Sequence, residues 1–221
     1  MKRPRRRMGL KKGVFITFEG PEGCGKSTHS GLLVRHLVKA GFGCVHTREP
    51  GGTALGESVR ELLLHSKRVE ISDLAELFLF EAARAQIVRE VIRPALSEKK
   101  VVVCDRFSDA TLSYQGYGGG LDLGAIRRLD DIATGRLKPD LTILLDIDTR
   151  TGLERARRKG VDRMERKDAA YHARVRAGYL ALARAEPRRI RVVRVTGEIG
   201  ETRQAVRREV ESVIRRYQRA A

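Results

Sequence analysis

Residues 18–30 read "FEGPEGCGKSTHS" and follow directly on the apolar run "GVFIT" at 13–17. The run "VFITF" (14–18) predicts a strand. From about Lys26 to Ala40, Leu32, Leu33, His36, Leu37 and Ala40 fall on one helical face and predict a helix. Between them the chain spends three glycines, a lysine and two hydroxyls. Gly20, Gly25, Lys26 and Ser27 match the spacing G-x-x-x-x-G-K-[ST]. Glycines there let backbone N–H groups turn inward into an anion nest, and the helix that follows adds its positive N-terminal end. The residues of this cradle are Gly20, Pro21, Glu22, Gly23, Cys24, Gly25, Lys26, Ser27 and Thr28. Lys26 is expected to reach the β- and γ-phosphates and the Ser27 hydroxyl to face Mg²⁺. The loop points to ATP or a similar triphosphate and leaves the phosphoryl acceptor open. It also raises a question, because Glu22 is an acid inside an anion site.

Outward from the loop the pattern repeats. Strands are expected at "GCVHT" (43–47), "KVVVCD" (100–105), "LTILLDI" (141–147) and "RIRVVRV" (189–195). Helical patterns lie at 55–65, 73–97, 122–135, 149–159 and 167–185, with a basic helix from Glu201 to the end. Strands that are nearly all apolar rather than alternating, interleaved with helices, predict an α/β fold of three layers: a five-stranded parallel sheet with helices on both faces. This is the P-loop NTPase arrangement, with residues 13–221 as one domain. The charged stretch "GVDRMERK" (160–167) reads as a short lid loop within about 155–168. In such sheets ligands bind beyond the carboxyl ends of the strands.

The chain has 221 residues and a net charge of +17. Residues 1–12 hold seven Lys or Arg and no acid, so the remainder carries +10 (17 − 7), and the segment reads as a solvated, disordered arm. The longest apolar runs are too short to cross a bilayer, and no apolar segment behind the basic start resembles a signal peptide. Cys24, Cys44 and Cys104 show no metal spacing and read as reduced thiols. A cytoplasmic protein is expected. The positive charge attracts polyanions in general. With 5% aromatic residues, no Trp and no nucleic-acid motif, nucleotides fit that charge better than nucleic acid does.

The motifs at the other strand ends narrow the class. "TREPGGT" (47–53) follows the second strand and "DRFSDATLSYQG" (105–116) the third, with "LFLFEAAR", "KPDLTILLD" and "DRME" in the same order. Phe80 and Arg84 lie one turn apart on one helix face. From about Gly13 to the C-terminus the chain resembles the thymidylate kinases, the enzymes that phosphorylate dTMP with ATP. The resemblance implies that Phe80 stacks on thymine, that Arg84 meets its O4 edge, and that Gln115 and Thr111 complete base recognition. It implies that Arg48 and Arg106, helped by Arg60, hold the dTMP phosphate. Asp105 would organise the Mg²⁺ shell with Ser27 and keep Arg106 in place. Glu22 would lie by the 3′-hydroxyl of the sugar. With no base in the loop itself, catalytic arginines are expected from the lid: Arg155, Arg157 and Arg163. A family-typical "DST" reads Asp109–Ala110–Thr111 here. The resemblance also implies a homodimer packed through the 55–97 region. Two other readings share some of these features: a deoxynucleoside or other monophosphate kinase, and a basic nucleic-acid-binding NTPase.

Overall fold

The computed structural model describes residues 8–66, 69–158 and 163–218. Five strands form one parallel sheet: β1 (Val14–Glu19), β2 (Cys44–Arg48), β3 (Val101–Asp105), β4 (Leu141–Asp146) and β5 (Ile190–Arg194), in the order β2-β3-β1-β4-β5. β1 is central because it is buried along its whole length and carries apolar side chains on both faces. Val14, Ile16 and Phe18 point to one layer, where Leu33 and Leu37 of α1 (Lys26–Lys39) meet Val210 and Ile214 of the C-terminal helix. Phe15 points to the other, against Ile87, Ile92 and Phe107. Thr17, on that second side, bonds to the hydroxyl of Thr142 on β4 at 2.8 Å, so even the polar residue of the strand is satisfied within the sheet.

The crossovers carry the remaining helices. α2 (Ala54–Arg60) is capped by the Thr53 side chain and runs on into a π-helical turn, Glu61–His65. α3 (Asp73–Ile87) continues through a second π turn, Val88–Ile92, into α4 (Arg93–Ser97), where the sequence predicts one unbroken helix. After β3 come α5 (Ser108–Thr111) and a third π turn, Leu112–Gly118, an element the sequence pattern does not announce. α6 (Leu123–Thr134) precedes β4. α7 (Thr149–Arg157) and α8 (Ala169–Ala185) precede β5, and α9 (Ile199–Tyr217) closes the chain. Tyr171, Val175 and Tyr179 of α8 form a further core with Tyr114 and Ile126.

Residues 8–12 correct one expectation. Read from composition as part of a solvated arm, they are tied to the body: Leu10 is buried and bridges to Gln218, Lys11 N–H donates to the Tyr217 carbonyl at 2.7 Å, and Lys12 pairs with Asp140 at 2.7 Å. Leu10 supplies the reason, an apolar side chain the α1–α9 layer can cover. Residues 1–7 lie outside the described residues, as do 159–162 within the expected lid.

Candidate active site

The loops after β1, β2 and β3 meet at the carboxyl edge of the sheet around a cavity of about 640 Å³, large enough for a substantial part of a nucleotide. The phosphate loop forms one wall. Gly23 adopts φ +68°, and a Cβ there would lie 1.9 Å from the carbonyl oxygen of Gly152. The loop therefore packs backbone to backbone on α7, which only glycine permits. Lys26 Nζ folds across the loop and donates to the carbonyls of Gly20 and Pro21, both at 3.0 Å. Ser27 Oγ lies 2.5 Å from Asp105 Oδ2 at the end of β3. Among the described residues no cluster of three or more His, Cys, Asp or Glu is placed to hold a metal. A hydroxyl beside one carboxylate suits Mg²⁺, which keeps its waters and takes oxygens from nucleotide phosphates.

The opposite wall gathers Arg48, Arg60, Phe80, Arg84, Arg106 and Gln115, which the sequence scatters over nearly seventy positions. Arg106 follows β3 with a left-handed backbone, φ 70°. That conformation costs a non-glycine residue about 1 kcal/mol or more. Two backbone bonds hold it: Arg106 N–H to the Phe18 carbonyl at 2.9 Å, and Phe107 N–H to Glu19 Oε1 at 2.7 Å. The guanidinium donates to Glu22 at 2.6 Å and to Tyr179 Oη at 3.3 Å, and lies over the Tyr114 ring. Arg106 is thus hydrogen-bonded to Glu22 and Tyr179, while Asp105 bonds to Ser27 and adds its charge beside Arg106.

Glu22 also accepts from Tyr114 Oη at 2.6 Å. Burial works against its charge, but Arg106, Lys26 and that hydroxyl more than offset it and bring its pKa down to about 2. The acid in the anion loop is therefore paired with Arg106 and Tyr114 and stands within the field of Lys26. Glu19 lies deeper and receives Tyr179 Oη at 2.8 Å; burial, reinforced by Asp109, pushes it up to about 8 against the pull of Arg106.

Arg84 is almost fully buried. Its Nε donates to Glu49 at 2.8 Å, and its Nη1 to Glu81 at 2.7 Å and Asp130 at 3.3 Å. Burial opposes its charge, yet these three carboxylates keep it firmly ionised. Arg48 rests on Glu57 at 3.0 Å, and Arg60 donates to the Pro50 carbonyl at 3.0 Å. Thr111 and Gln115 also line the cavity.

Of the lid arginines, the structure brings Arg155 to the cavity together with Arg158, which the sequence reading omits. Arg157 is exposed and not among the lining residues. Arg163 is not among the lining residues either: its side chain pairs with Glu76 and donates to the Leu63 carbonyl at 2.8 Å. The sequence reading missed Tyr114, which lines the cavity, and Tyr179 and Glu76, which bond to the lining residues Arg106 and Gln115. "SYQG" stood beside Gln115, but nothing local marks Glu76 or Tyr179, which reach the site from other elements.

A phosphate cradle that opens onto a second, arginine-lined slot with an aromatic wall defines a P-loop kinase whose acceptor is itself a nucleotide. Comparison with known proteins resolves which one. The profile of the thymidylate kinase family matches residues 18–206. A thymidylate kinase of Synechococcus sp. (strain JA-2-3B'a(2-13)) is 52% identical over 185 residues, covering 84% of this chain and 87% of its own length. One from Geobacter sp. (strain M21) is 47% identical over 212 residues, covering 91% and 94%. The crystal structure of thymidylate kinase from Ehrlichia chaffeensis superposes with a TM-score of 0.73 at 37% identity, covering 90% of this chain and 98% of that one. The chain belongs to the thymidylate kinase family. It is a nucleoside monophosphate kinase that phosphorylates dTMP, a step of dTTP synthesis.

Proposed function

We propose that the two walls of the cavity divide the reaction between them. ATP lies with its triphosphate on Gly20–Thr28, where Lys26 exchanges its loop carbonyls for β- and γ-phosphate oxygens. Ser27 and Asp105 would hold Mg²⁺, which when bound would offset the negative charge of the triphosphate. dTMP lies opposite. Phe80 covers the thymine ring, Arg84 donates to its O4 edge, and Thr111 and Gln115 bound its remaining edge. Arg106 and Arg48, with Arg60, take the 5′-phosphate, and Glu22 accepts from the sugar 3′-hydroxyl. The acceptor phosphate is already largely ionised near neutral pH, with a second pKa of about 6, so no general base is needed. Catalysis consists of bringing two anions into line and neutralising them. Arg155, with Arg158 beside it, supplies positive charge from the lid side, and closure keeps water from the γ-phosphate.

The observation that carries this reading is the position of Arg106. It is fixed by the phosphate loop's own Glu22 and stands at the boundary between the two walls. Leu74 and Phe78 on α3 and Leu55 on α2 are about half exposed, an apolar strip that supports a homodimer through these helices. Three unpaired cysteines, and the lack of any helix among the described residues long and apolar enough to cross a membrane, support work in the cytoplasm. The test is coupled ADP release with a panel of acceptors. Turnover with dTMP far above that with thymidine, AMP or UMP is expected; equal turnover with thymidine would reject the phosphate-clamp reading.

A further inference from the structure

Glu76 sits on α3, one turn before Phe80 and two before Arg84, and is 2% exposed. Its two oxygens have different partners. Oε1 accepts from Nε2 of Gln115 at 2.7 Å. Oε2 accepts from Arg163, whose Nε is bonded to the Leu63 carbonyl at 2.8 Å and whose backbone N–H is bonded to the Leu64 carbonyl at 3.2 Å. With one oxygen locked on a guanidinium, the other is an acceptor that cannot turn away. A glutamine amide offers donors on one arm and an acceptor on the other, and its neighbours decide which way it lies. Gln115 is 4% exposed and lines the cavity beside Phe80, Arg84 and Thr111.

We propose that Glu76 is a positioning residue for base selection: by holding the NH₂ of Gln115, it fixes the amide oxygen as the group shown to the base slot. An acceptor there pairs with a ring N–H. Thymine and uracil carry such a donor at N3. Cytosine carries a lone pair at the same place, so two acceptors would face each other in a buried site. The arrangement thus selects an imide-type pyrimidine, and Arg163 serves selection by keeping Glu76 in place. This inference rests on the reading that Gln115 faces the base.

The test is a double-mutant cycle read as a ratio of kcat/KM for dTMP over dCMP. Glu76→Gln is close in shape but presents Gln115 with either a donor or an acceptor, so the amide is free to turn. The ratio is expected to fall by about tenfold to a hundredfold. In a Gln115→Ala background the same Glu76→Gln change is expected to alter the ratio by less than about twofold. A general structural defect would act equally in both backgrounds, and that outcome overturns the proposal. If Gln115→Ala lowers the ratio while Glu76→Gln leaves it intact, the proposal fails and the slot reading stands. If Gln115→Ala itself leaves the ratio intact, both fail. A second readout needs no Glu76 variant: in the wild-type enzyme the side-chain NH₂ signals of Gln115, assigned by their loss in Gln115→Ala, are expected to stay protected from solvent exchange with and without dTMP. Rapid exchange in the empty enzyme overturns the assignment.

Discussion

Replacing Arg106 by alanine separates catalysis from folding, and the structure sets the size of both effects. The Arg106–Glu22 pair has side chains 18% and 14% exposed. Removing one partner of a well-buried pair costs about 3–5 kcal/mol. Lys26 still faces Glu22, and the site opens to solvent, so roughly 2 kcal/mol is the expected loss. For a chain of this size that lowers Tm by roughly 4–8 °C. Arg106→Ala is therefore expected to fold and to melt early. Adding Glu22→Gln removes the stranded charge and should recover at least half of the lost Tm. Turnover behaves differently. In the proposed site Arg106 clamps the acceptor phosphate, and loss of such a charge costs on the order of 10³-fold or more. The coupled ADP-release assay should find both the single and the double variant nearly inactive with dTMP. An Arg106→Ala enzyme within tenfold of wild-type turnover would refute its role. A double variant no more stable than the single would refute the stranded-charge account of Glu22.

Three further outcomes are expected. Phe80→Ala should raise KM for dTMP by about tenfold to a hundredfold, from the lost stacking and burial, and leave KM for ATP unchanged; equal changes in both would place Phe80 outside the base slot. Glu19 has an ordinary pKa of 4.5, raised in the fold to about 8. Between these values the folded state holds the extra proton, so this group's contribution to stability declines as pH rises. The Tm of Glu19→Gln minus that of the wild type should therefore increase from pH 5 to pH 9, and a difference that stays flat in thermal melts contradicts the burial account. Phe78→Asp, which puts a charge in the exposed apolar strip of α3, should shift sedimentation equilibrium from dimer to monomer, whereas an unchanged mass would move the contact elsewhere.

The elements that could be read from the sequence were those whose signal is local. β1 and β3 are apolar runs buried on both faces, and the glycine spacing of 20–27 has one structural use after a strand. The resemblance placed Phe80, Arg84, Arg106 and Gln115 on one cavity, and all four line it. What local pattern could not show depends on convergence. The π turn at 112–118 contains Gly116 and Gly118, poor helix formers, and forms because Tyr171 of α8 packs against it: a Cβ at Gly118 would meet that ring at 2.8 Å. Arg163 looks like a mobile lid cation when only "DRME" is visible. It becomes an anchor once Glu76, 87 positions away, is seen beside it. Leu10 was hidden by the charge around it, and its burial depends on a bridge to Gln218, more than two hundred positions away.

The most direct measurement is a crystal structure of the enzyme with dTMP and a non-hydrolysable ATP analogue bound together. Thymine is expected between Phe80 and the Arg84–Gln115 edge, its 5′-phosphate on Arg106 and Arg48, and the triphosphate on the loop around Lys26. Thymidylate found away from Phe80, or a 5′-phosphate out of reach of Arg106, would contradict the two-walled site.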